Sequence, residues 1–166
     1  MHVYDLVYDP ATPSSSTMAV NASFEALNVV SSTTFYKSSA INQTGDLIVL
    51  EGTSNTAGVR VFKKTGSTWA LAQTLMPFGM EAYGAIESID LSSDAVHLFI
   101  GDNGNRTVDY WKYESGLFVW KSNIVGTHDV SFAGAGGMAI SVGAEFVAVA
   151  ATFGTLADNV FAGAVY

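Results

Sequence analysis

The chain has no cysteine in its 166 residues. Disulfides, thiolate catalysis and cysteine-based zinc sites are therefore excluded. Charge is scarce as well: Asp, Glu, Lys and Arg make up 13%, about half of the ~25% usual for a soluble domain. With 49% hydrophobic residues, this composition suits a chain that buries much surface or assembles with copies of itself. It does not suit a disordered one. Bases are scarcer than acids, 7 against 15, for a net charge of −8. An acidic chain repels phosphate backbones, and only Lys63-Lys64 sets two bases side by side, so no nucleic-acid partner is expected. The scattered acids read as a solvated surface.

Long apolar runs are missing too. The most apolar stretch, residues 145–157, is broken by Gly154 and Thr155. It falls short of the ~20 residues that a bilayer-crossing helix requires, so no membrane insertion is expected. Met1-His2-Val3-Tyr4-Asp5 lacks the basic-then-apolar order of a signal peptide. Helical periodicity is weak, with no long run of apolar residues at i, i+3, i+4 and i+7.

What is present is alternation. Ile48 and Leu50, Val59 and Val61, Val108 and Tyr110, and Phe146, Ala148 and Ala150 sit at period two. These segments are short and end at Gly, Asn, Asp or Ser, the signature of short strands. They also recur in a fixed order. One unit runs through Ser39-Ala40-Ile41, a turn at 42–46, Leu47-Ile48-Val49-Leu50, Val59-Arg60-Val61-Phe62, a turn at Thr65-Gly66-Ser67, and residues 69–75. A second repeats the order through Ser88-Ile89-Asp90-Leu91, residues 97–101, residues 108–111 and Phe118-Val119-Trp120. A third runs through residues 137–142, 146–149 and 161–166. Phe35 to Tyr83 spans 48 residues, Tyr83 to Phe132 spans 49 and Trp69 to Trp120 spans 51. A period near fifty with four short strands predicts β-propeller blades rather than a sandwich. The expected fold is therefore all-β, built of four-stranded antiparallel meanders: about three blades plus a partial one. The divisions are a partial blade at 1–31 and repeats at about 32–80, 81–128 and 129–166, in one β-repeat domain that is either whole or a piece of a longer propeller.

The stretch Tyr83-Gly84-Ala85-Ile86-Glu87-Ser88-Ile89-Asp90-Leu91-Ser92-Ser93-Asp94, followed by Leu98-Phe99-Ile100-Gly101-Asp102, resembles an FG-GAP repeat. That pattern has an aromatic-Gly entry, an alternating strand ending in Ser, an acidic turn and a second strand ending at Gly. Gly136-Gly137-Met138, with Phe161-Ala162-Gly163-Ala164-Val165-Tyr166, is similar. Gly58-Val59-Arg60-Val61-Phe62, with Trp69, matches the third and fourth strands. Lys37-Ser38 and Ala95 stand where the pattern wants Gly, and the integrin-type Asp-x-Asp-x-Asp-Gly calcium loop is absent, so calcium binding does not carry over. The resemblance implies a recognition or adhesion role.

The third unit stops after three strands, and residues 3–8 and 24–30 read as a third and a fourth strand. The segment Val3, Tyr4, Leu6, Val7 and Tyr8 is the candidate assembly strand. It is followed by a hinge at Asp9-Pro10-Ala11-Thr12-Pro13 and three serines. Such a strand completes a sheet in its own chain or, head to tail, in a neighbour, and open pairing of that kind gives filaments.

Signals of chemistry are faint. His2, His97 and His128 lie far apart, and no Gly-x-Ser-x-Gly elbow occurs. Gly134-Ala135-Gly136-Gly137 reads as a tight strand entry. Asp102-Asn103-Gly104-Asn105, with Asp109 beyond, supplies too few oxygens for calcium and reads as an Asn-Gly turn. Trp69 and Trp120 recur near the repeat period and read as core, which leaves Trp111 as the candidate exposed contact. Sequons at Asn21, Asn42 and Asn105 point to glycans and an extracellular setting, with Asn42 and Asn105 expected in exposed turns. No catalytic residue, cofactor or metal is expected. The expected role is a non-enzymatic extracellular structural or adhesion module, homo-oligomeric or continuing into a longer chain. The alternative is a propeller fragment of a secreted carbohydrate-binding or hydrolytic protein whose site lies elsewhere.

Overall fold

The computed structural model describes residues 2–7, 17–23, 38–52, 58–105, 107–124, 138–142, 147–155 and 161–165, with side chains described within 38–52, 58–105 and 107–124. The chain divides into two compact units, Met1–Thr34 and Phe35–Tyr166.

The first unit holds β1 (His2–Val7) and β2 (Thr17–Ser23), paired antiparallel. The register shifts after Val3, which pairs Ala22, while Tyr4 pairs Val20; Asn21 is therefore the extra residue of a bulge. Residues 24–30, expected as the next strand, lie outside the described residues, as do Tyr8 and the hinge at 9–16. The partner of the candidate assembly strand is instead β2. Met18-Ala19-Val20 is a short apolar run bounded by Thr17 and Asn21, as a strand is, and pairing with a segment near in sequence costs little chain entropy.

Among its described residues the second unit holds three antiparallel meanders. The first sheet is β3 (Ser39–Ile41), β4 (Leu47–Glu51), β5 (Val59–Thr65) and β6 (Thr68–Leu75), in that spatial order. The second is β7 (Ile86–Leu91), β8 (His97–Asp102), β9 (Thr107–Glu114) and β10 (Leu117–Ile124). The third is β11 (Met138–Val142), β12 (Val147–Thr155) and β13 (Phe161–Val165). The fold is all-β, as the alternation requires, and no helix occurs among the described residues.

The first two sheets place their turns at equivalent positions. Thr65 pairs Thr68 across Gly66-Ser67, and Glu114 pairs Leu117 across Ser115-Gly116. These are two-residue hairpins with positive φ at Gly66 (61°), and at both Ser115 (52°) and Gly116 (93°), the geometry that matches strand twist. Gly45 and Ala95 occupy the same left-handed corner, at 68° and 61°. The outer strands carry matching bulges, with Ala72 as the extra residue of β6 and Lys121 as that of β10.

This structural register corrects the tryptophan assignment. Counted from the hairpins, Trp69 corresponds to Phe118, Trp120 to exposed Leu71, and Trp111 to buried Phe62. Trp111 is accordingly buried and Trp120 half-buried. Matching Trp69 to Trp120 by residue type slipped the outer strand by two.

The core lies between the sheets. Leu47, Val49, Val59 and Val61 of the first form one hydrophobic cluster with Leu98, Ile100, Trp111 and Phe118 of the second. β4 and β8 are buried almost throughout, which is why they read as continuous apolar runs rather than as alternation. β3 and β4 lie against β7, β6 against β10, and β11 against β7 and β8. Polar stitches join the first two sheets. The Ile89 N–H donates to Ser38 Oγ at 2.7 Å, and the Gln43 N–H to the Ser93 carbonyl at 3.0 Å. The Gln73 side chain bonds both the N–H and the carbonyl of Phe118.

Candidate functional site

The richest polar constellation sits where the second blade opens. Tyr83-Gly84-Ala85 leads into β7, and the loop 102–105 connects β8 to β9. The two segments touch backbone to backbone: a Cβ on Gly84 would stand 2.7 Å from Gly104 Cα, and one on Gly104 would stand 2.5 Å from Gly84. Only glycine fits at both places.

Asp102, 1% exposed, fastens this crossing. Its Oδ2 accepts from the Gly84 N–H at 2.9 Å and from Asn105 Nδ2 at 2.6 Å. Its Oδ1 accepts from the N–H groups of Ala85 (2.8 Å), Gly104 (3.1 Å) and Asn105 (3.2 Å). A carboxylate so filled with donors is satisfied in the interior. Of the residues considered for a calcium loop, Asp102 and Asn105 thus serve as an internal clasp. Among the described residues no group of three or more metal-ligating side chains could hold an ion.

Behind the clasp lie Tyr83, Asp109 and Trp111, all buried. Asp109 Oδ2, the Tyr83 hydroxyl and Trp111 Nε1 make no hydrogen bond with protein. Burial first, and then the negative charge of Asp102, push the Asp109 carboxyl up to about 6. The Tyr83 hydroxyl faces it closely enough to favour the ionised form, though outside hydrogen-bond geometry. Burial, with the charge of Asp109 next, drives the Tyr83 hydroxyl well above its ordinary range.

A second pattern is the corner that opens β4 and β8. Asn42 Oδ1 accepts from the N–H groups of Asp46 and Leu47, at 3.1 and 3.0 Å, and its Nδ2 donates to Thr44 and Asp46. In the next blade Ser92 takes this place: its Oγ accepts from the His97 N–H at 2.8 Å and donates to Asp94. The hydroxyl of Thr44, then the Asn42 amide, hold the Asp46 carboxyl below the ordinary range. The Ser92 hydroxyl does the same for Asp94.

The sequon residues are placed accordingly. Asn42 and Asn105 lie in turns but are half-buried rather than exposed, and their Nδ2 atoms, the ones that would carry a glycan, are donating internally. The physical reason is that short amides cap the tight corners in which they sit. Asn21 is the bulge of β2. His97 bonds the Tyr110 hydroxyl through Nδ1 at 2.8 Å and stacks on that ring, which also stacks on Phe99.

The exposed surface has a different character. Phe78 is 62% exposed and stacks on Trp120, with centroids 4.2 Å apart and planes 15° apart. Leu71, Leu117 and Val119 on the outer strands are exposed too. Sequence reasoning missed this pair because Phe78 lies in the loop between blades, outside any repeated strand.

No protein-family model matches the chain, and no curated protein matches it. Among solved structures it is similar to a protein from Lactobacillus plantarum, with a TM-score of 0.55 and 11% identity over 98% of this chain and 48% of that one. A candidate 6-phosphogluconolactonase from Bacteroides uniformis gives a TM-score of 0.45 and 13% identity, over 96% and 50%. Both are propeller-like, and the chain spans about half the length of each.

Proposed function

We propose that this chain is a non-enzymatic recognition and assembly module: a set of FG-GAP-type blades that functions joined to a further set. One observation carries the reading. The chain matches a propeller-like chain along nearly all of itself but only 48% of that chain, which leaves room for a second half. The polar groups at the blade openings support a role without turnover, since Asp102, Asn42 and Ser92 are spent on fastening loops. Low charge and exposed apolar side chains on the outer strands favour contact with protein. An extracellular setting is part of this reading and rests on the FG-GAP resemblance. Light scattering behind size exclusion tests the reading. A mass near twice the 17.5 kDa of one chain, or a filament under the electron microscope, is expected. A strict monomer across the accessible concentration range refutes assembly with itself.

A second reading has its own observation. The exposed Phe78–Trp120 stack is the kind of surface on which a sugar ring lies, as in a carbohydrate-binding propeller fragment. A glycan array with the native chain and Phe78→Ala distinguishes the two: native binding that the variant loses supports this reading over the first.

A further inference from the structure

Three polar atoms buried between the first two sheets converge without protein partners: the Tyr83 hydroxyl, Asp109 Oδ2 and Trp111 Nε1. Their residues are 1%, 1% and 7% exposed. Asp109 and Trp111 are two apart on β9 and so share a face. That face is the one that carries Ile100 and Leu98, their ladder partners on β8, into the core. Tyr83 reaches the same place from the blade entry: Asp109 and Trp111 both lie near enough to act on its hydroxyl, though outside hydrogen-bond geometry. Buried polar groups are satisfied by protein or by ordered water in nearly every folded protein.

We propose that these three atoms bind one internal water molecule, which ties the entry of the second blade to that blade's third strand. The donor inventory selects the occupant. The Trp111 indole can only donate, Asp109 accepts when ionised, and the Tyr83 hydroxyl does either. A cation would meet the indole N–H head-on, and the neighbouring Asp102 carboxylate already accepts five hydrogen bonds. An anion would face both Asp102 and Asp109. An apolar occupant would leave all three atoms unpaired. Water accepts from Trp111, donates to Asp109 and completes a third bond with Tyr83, the coordination that internal waters usually have.

Two measurements on the full chain test this. A high-resolution crystal structure is expected to show one density peak within about 2.6–3.2 Å of all three atoms. In solution, the Trp111 indole proton is expected to show a cross-relaxation peak to a long-lived water, lost in Tyr83→Phe. No density there, a metal-like peak with shorter contacts, or direct bonding among the three side chains overturns the proposal. So does a Tyr83→Phe protein that keeps the water signal. Where that variant does not fold, the wild-type density and cross-relaxation decide alone.

Discussion

Gln73 grips the main chain of Phe118 at two points: its Nε2 donates to the Phe118 carbonyl at 2.8 Å, and its Oε1 accepts from the Phe118 N–H at 2.8 Å. A side-chain amide here imitates a neighbouring strand. It joins the outer strands of two blades that are otherwise held at their inner strands and core.

Gln73→Leu is expected to keep the apolar contact and lose both bonds. The cost should be about 1–3 kcal/mol, because two main-chain groups of a buried residue lose their partners. Chemical denaturation measures it. Hydrogen exchange at the Phe118 amide should accelerate in the variant while the interior of β8 stays protected.

Asp109 gives the fold a dependence on pH with a definite sign. Its carboxyl is pushed up to about 6 in the folded chain from an ordinary 3.8. Well below 4 it is protonated in both states and contributes no difference. As pH rises through the window between those values, ionising it costs the folded state, up to ~3 kcal/mol for two units. Asp109→Asn removes that titration. The stability of native protein relative to Asp109→Asn should therefore fall between pH 4 and pH 7, as read from urea midpoints. A flat difference across that range refutes the assignment.

Gly84→Ala should destabilise more than Gly66→Ala. The first forces the backbone of Gly104 to move, with an overpacking cost of about 1–3 kcal/mol. The second places a methyl group in open space, and its cost is the left-handed backbone alone, ~1 kcal/mol. Parallel thermal melts decide the order.

Asn42→Ser should be tolerated and Asn42→Ala should not. Serine already holds the equivalent corner at Ser92, accepting from the same main-chain position. Alanine leaves the Leu47 N–H without its acceptor, worth about 1 kcal/mol. Paired melting curves show whether the two corners are interchangeable.

Much of the architecture was legible before the structure. Every strand of the second unit announced itself by apolar alternation or by a short apolar run between turn residues, and Thr65-Gly66-Ser67 and Glu114-Ser115-Gly116 marked their hairpins. β2 was missed because the prolines and serines before it suggested a longer leash, and nothing local tells a strand where its partner lies. The tryptophans were misassigned because register is set by hairpins and bulges, not by which aromatic recurs. The clasp at Asp102 was half legible: the loop stood out, but four of its five donors are main-chain N–H groups, which leave no trace in residue identity. Asp109 reads as an ordinary strand polar residue, and only its place between two sheets makes it unusual.

The matching bulges at Ala72 and Lys121 bear on how this chain behaves in a crowd. The net charge of −8 keeps copies apart effectively only at low ionic strength. Its outermost strands are broken by an extra residue at the same place in successive blades, so neither offers an uninterrupted row of N–H and carbonyl groups to a passing segment. That block on edge-to-edge strand addition is one of shape, and should hold at salt concentrations that silence electrostatic repulsion. Deleting Ala72 or Lys121 straightens an outer strand, and would turn a discriminating surface into one that binds strands without regard to their sequence.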